Sequence, residues 1–79
     1  MSGDIIAFGT QAVTIQDQNG AQYYAKYEEL DLHVIKDIVD GALPIPVLFE
    51  IDKTRHAGKN NKKYRYYATD VRLVHLIYL

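Results

Sequence analysis

A change of hydrophobic period divides this chain. Before Glu28, apolar residues come in short runs: Asp4 to Phe8 is β-branched and aromatic and stops at Gly9, while Ala12 to Gln16 and Gln22 to Tyr27 alternate. From Glu28 to Val39 they recur at three and four residues instead, through Leu32, Ile35, Ile38 and Val39. A period of two sets one side of a strand against a core, and 3.6 does the same for a helix, so the switch predicts three strands followed by one short helix. Asn19-Gly20, which tolerates positive φ, marks the hairpin between the second and third strands, and Gly41 stops the helix. Pro44 and Pro46 bar a helix from the next segment and put any strand start after them. The fourth strand is therefore expected over Val47 to Ile51 and the fifth over Tyr64 to Val74.

Seventy-nine residues leave room for one compact domain and no separate catalytic one, because so short a chain buries only about 60 to 65 per cent of its unfolded surface. The composition, 48% hydrophobic and 24% charged, is that of a folded protein. Three strands, a short helix and two more strands is the order of an all-β, five-stranded Greek-key barrel of the OB type, with the helix between strands three and four as a bottom plug. An SH3-like barrel suits the strand count as well; the helical period favours the OB order. The expectation is a single OB-like domain over residues 1–79, with 73–79 an apolar extension. In that fold the loops joining strands one to two and four to five flank the binding face. With no cysteine, the chain has neither a disulfide framework nor a thiolate zinc site, which fits a reducing, cytoplasmic setting. The opening MSGDIIAFG lacks a positive leader, and no run reaches the length of a membrane span, so neither secretion nor membrane insertion is expected.

The charge is distributed unevenly. Lys53 to Arg65, KTRHAGKNNKKYR, holds six of the nine Lys and Arg residues and no Asp or Glu, while the rest of the chain holds three basic against ten acidic side chains. A net charge of -1 thus conceals a cationic loop on an anionic body. Such a loop attracts phosphates through long-range Coulomb force and counterion release, and neighbouring tyrosines add stacking. Single-stranded RNA or DNA is the expected partner. A solvated hairpin tip, basic for solubility alone, is the plainer alternative.

From Gly3 through Val71 the chain resembles a cold-shock domain. GDIIAF resembles its opening strand, IQDQNG the turn after strand two, QYYAKYEEL the third strand and its exit, VLFEI the fourth strand, and ATDV the closing Ala-x-Asn-Val. The resemblance implies an OB barrel that binds single-stranded nucleic acid. These are mainly core and turn positions, which bear on fold more than on activity. The family stacks bases on a Trp of strand one and a Phe-x-Phe of strand two, and the matching positions here are Ala7, Ala12 and Thr14. The third-strand motif persists in part, with Tyr24, Lys26 and Tyr27 where the family carries Phe, His and Phe. Each absent stack removes about 1 to 3 kcal/mol, so binding is expected to be mainly electrostatic, with low sequence preference.

Period two sets Tyr24 and Lys26 on one face of the third strand and Tyr23, Ala25 and Tyr27 on the other. In the fifth strand Tyr67 shares parity with Val71, which places Tyr67 inward and Tyr64 and Tyr66 outward, beside the basic loop. The nucleic-acid-binding set is therefore Tyr24, Lys26, Tyr27, Lys53, Arg55, Lys59, Lys62, Lys63, Tyr64, Arg65 and Tyr66. Cross-strand pairing alone would also account for the tyrosines.

No enzyme is expected. His33, His56 and His75 lack the spacing of a metal cage, no glycine-rich phosphate loop or nucleophile elbow is present, and Glu28, Glu29 and Asp31 suit the start of a helix. No cofactor is implied. The second functional reading is a homodimer or protein-interaction module built on 73–79, since VRLVHLIYL is strongly apolar for a chain end and asks to be covered.

Overall fold

Five strands close into a barrel in the order β1 (Ser2–Phe8), β2 (Ala12–Gln16), β3 (Gln22–Lys26), β5 (Arg65–Leu73) and β4 (Ile45–Ala57), with β4 pairing back onto β1. All neighbours are antiparallel except β3 and β5, which run parallel. The computed structural model describes the backbone of residues 1–41, 43–57 and 65–74, with the side chains of all these except 53–57 and 65. The architecture is that of a small OB-like barrel, all-β with one short helix, in the element order that the sequence predicts. No helix among the described residues is long and apolar enough to cross a membrane.

The core is one cluster. Ile5, Val13, Ile15, Ala25, Val34, Val47 and Val71 are fully buried, and the Phe49 ring packs tilted on Tyr23 with centroids 5.1 Å apart. Burying each large apolar side chain stabilises by roughly 1.5 to 3 kcal/mol, enough for these positions to dictate which face of every strand points inward.

Helix α1 (Leu32–Val39) starts later than the spacing predicts. Leu30 makes a parallel bridge with Val71, and the Asp31 N–H donates to the Val71 carbonyl at 2.9 Å, so the chain is pinned extended just before the helix. Glu28 and Glu29 consequently form a separate 3₁₀ turn (Tyr27–Glu29), and Asp31 becomes the N-cap, its carboxylate accepting from the His33 N–H at 3.1 Å. At the other end Gly41 has φ of 77°, the left-handed value that closes a helix.

β4 begins at Ile45, before Pro46 rather than after it. The Phe49 N–H bonds to the Met1 carbonyl at 2.9 Å, so odd-numbered residues of β4 face β1 with their backbone groups and Pro46 faces the other way. On that side the ladder with β5 ends at Val47 opposite Leu73, and the proline's missing N–H interrupts no bond of it. Beyond Ile51 the strand continues to Ala57, deep into the basic segment.

The β2–β3 hairpin turns on Gly20, at φ 84°. Asp17 locks it: one carboxylate oxygen accepts from the N–H groups of Asn19 and Ala21, and the other from the Tyr23 hydroxyl at 2.9 Å. Desolvation pushes the Asp17 carboxyl up, but the Tyr23 hydroxyl and the turn's N–H groups outweigh it and hold it below its usual 3.8. Burial, then the bond to Asp17 and its charge, push the Tyr23 hydroxyl above its usual 10.0.

Candidate nucleic-acid interface

The outer face of the barrel is set by strand parity. In β3, Tyr23 and Ala25 are buried, which leaves Tyr24 and Lys26 half-buried on the outside. In β2, Val13 and Ile15 are buried, so Ala12 and Thr14 share that outer face, Thr14 opposite Tyr24 and Ala12 opposite Lys26. Ala7 of β1 lies opposite Thr14. Ala12 and Thr14 therefore adjoin the β3 pair directly, with Ala7 one strand further away.

β5 departs from the sequence reading. Its ladder with β4 runs from Leu48 opposite Arg72 to Glu50 opposite Thr69, so two residues of β5, Asp70 and Val71, stand against one of β4, Phe49. The extra residue is a β-bulge at Asp70, whose φ of 52° lies in the left-handed region. A bulge inverts the face count, so parity taken from Val71 fails on the far side of Asp70. Counted instead from buried Ala68, Tyr67 points outward, and Tyr66 points inward and packs against the core. This reverses the predicted assignment of both rings. The parallel register agrees, pairing Tyr24 with Tyr67 and Tyr23 with Tyr66.

Tyr24, Lys26 and Tyr67 thus meet on one face. They border a shallow hollow of about 230 Å³, floored by Ala12 and Thr14 and flanked by Gly9 and Gln11 of the β1–β2 loop. The Lys26 ammonium stands 5.6 Å from the centre of the Tyr67 ring, a cation–π contact worth roughly 0.5 to 1 kcal/mol at an exposed site. Half-buried Asp52 lies opposite Tyr67, so the face is not uniformly cationic.

Tyr27 has a different role from its strand neighbours. It packs against the core, and its hydroxyl donates to the Gly9 carbonyl, propping the β1–β2 loop that forms one wall of the hollow. It supports the face rather than offering a ring to it.

The backbone of β4 brings part of the basic segment to the same region. Asp52 pairs with Tyr67 and His56 with Tyr66, so Lys53, Thr54 and Arg55 form a wide irregularity across from the two tyrosines, and Arg65 pairs with Ala57. Lys59, Lys62, Lys63 and Tyr64 lie outside the described residues. Elsewhere, a second depression is bordered by Glu28, Glu29, Asp31 and Asp70 with Arg72, an acidic surface that repels phosphate. Among the described residues no group of three or more His, Cys, Asp and Glu is placed to hold a metal ion.

The apolar extension divides at Val74. Leu73 belongs to the core and Val74 is half-buried, so these two residues finish the barrel, while 75–79 lie outside the described residues. No family model, curated protein or solved structure matches the chain.

Unbroken alternation places Tyr24 and Lys26 on the outer face from the sequence alone, whereas it puts Tyr67 on the wrong one. The available signal was Ala68: a small residue between aromatic and polar neighbours competes with Val71 for the inward parity, and Thr-Asp between them gives room for a bulge.

Proposed function

We propose that this barrel is a divergent, cold-shock-like domain that binds single-stranded RNA or DNA in the cytoplasm, mainly through charge and with low sequence preference. The observation that carries the reading is the meeting of Tyr24, Lys26 and Tyr67 on one outer face, beside the strand that leads into the cationic segment. Rings accept bases by stacking without regard to sequence, and ammonium and guanidinium groups take the phosphates. The acidic remainder of the surface confines a polyanion to this side.

Magnitudes decide the balance between the two contributions. With rings missing at Ala7, Ala12 and Thr14, stacking lacks several kcal/mol, since each base contributes about 1 to 3. Each phosphate contact on a single strand lowers the slope of log K against log salt by about 0.7, so three to six contacts from the six cations of 53–65 give about -2 to -4. Titrating labelled oligonucleotides of several compositions at two salt concentrations reads that slope directly. Steep salt dependence with little composition preference is the expected result; a slope near zero, or no binding at low salt, refutes the reading.

A further inference from the structure

We infer that Tyr67 of β5 is the stacking platform of this face, receiving one unpaired nucleobase in the hollow between β3 and the β1–β2 loop. The inference rests on the single-strand reading above and adds to it where on the face a base is taken.

Ala12 and Thr14 are small, and Tyr24, Lys26 and Tyr67 stand around them, so the surface sinks where a ring on β2 would have filled it. The hollow has the walls that a base requires. Tyr67 offers a π-face, Gln11 and Thr14 offer amide and hydroxyl groups to a polar edge, and Lys26 offers a cation for the adjoining phosphate. The Lys26 ammonium already lies near the Tyr67 ring, 5.6 Å from its centre, so that ring meets the hollow rather than the core. A base arriving on the ring displaces the ammonium toward its own phosphate, exchanging a weak cation–π contact for a stack and an ion pair. Because every base has a π-face, the subsite accepts pyrimidines and purines alike. The platform also lies on a different strand from the positions of the resemblance that lack rings: it comes from β5, turned outward by the bulge at Asp70.

The test compares a fluorescent oligothymidylate with an abasic chain of equal length, titrated by anisotropy into the full-length protein and into Tyr67→Thr and Tyr67→Phe. Threonine is itself β-branched and a good strand former, so it suits the position in β5 while removing the aromatic ring. Expected are a loss of roughly 5- to 140-fold for Tyr67→Thr on oligothymidylate, unchanged binding of the abasic chain, and wild-type affinity for Tyr67→Phe. Equal affinity of Tyr67→Thr and wild type for oligothymidylate, or an equal loss on the abasic chain, overturns the inference. Wild type binding both chains equally also overturns it while leaving the single-strand reading in place, whereas wild type binding neither removes both. A second readout needs no substitution: the Tyr67 ring protons shift upfield with oligothymidylate and not with the abasic chain. Unshifted protons in the bound state refute the platform.

Discussion

β3 and β5 lie side by side in parallel and give the proposed face its two rings, but they do so by different means. β3 alternates without interruption and is held at both ends by tyrosine hydroxyls, Tyr23 to Asp17 and Tyr27 to the Gly9 carbonyl. β5 carries an extra residue at Asp70. Without it, Ala68 could not share the core with Val71 and Leu73. Burial of valine and leucine, at roughly 1.5 to 3 kcal/mol each, would win over an alanine and turn Tyr67 inward. A regular strand presents whatever its period dictates; a bulged strand can serve the core with both halves and still aim a chosen ring at solvent.

The largest effect is expected where that difference is abolished. Deleting Asp70 forces β5 to give up either Ala68 or the pair Val71 and Leu73, the latter costing about 3 to 6 kcal/mol, and urea titration should show a broad transition or none. Keeping the residue but straining it sharpens the point. Asp70→Val places a β-branched side chain at φ 52° and should cost about 1 to 3 kcal/mol, while Asp70→Gly should match or exceed wild type. Equal stability of the valine and glycine variants would contradict the bulge.

Smaller effects are expected at the ends of β3. Tyr27→Phe removes the hydroxyl that props Gly9 and should lower stability by about 0.5 to 1.5 kcal/mol, with oligonucleotide affinity changing only as far as the β1–β2 loop moves. An undiminished urea midpoint would show that the loop stands without it.

The smallest effect is the pH dependence of the hairpin. Asp17 is held below its usual 3.8, so the folded state favours its ionised form. That stability is present above 3.8 and is lost as pH falls through 3.8 toward the lower folded value. Tyr23, raised above 10.0, favours its protonated form, and its share is lost as pH rises past 10.0. In Asp17→Asn both slopes should flatten, which unfolding midpoints across the two pH windows will show; unchanged slopes would assign the pH dependence to other groups.

The barrel order was legible because it depends on coarse features: a hairpin dipeptide at Asn19-Gly20, a period switch at Glu28, and a stop at Gly41. The boundaries that shifted did so through tertiary pairing. Val71 pins Leu30 and Asp31 extended ahead of the helix, and the end of the β5 ladder tolerates Pro46. At the proposed face the same division holds. Tyr24 and Lys26 follow from local alternation, whereas Tyr66 and Tyr67 exchange roles because a single left-handed residue, three positions past Tyr67, resets the count. Tyr27 reads as a motif residue in the sequence, and only the approach of Gly9 from another strand end reveals it as a prop.

The account stands most directly on the chemical-shift changes that a single-stranded oligonucleotide causes in the labelled protein at low salt. Perturbations centred on Thr14, Tyr24, Lys26 and Tyr67, fading toward helix α1 and the acidic depression at Glu28 and Asp70, are the predicted result. Perturbations centred on that helix or depression, or none at all, would contradict it.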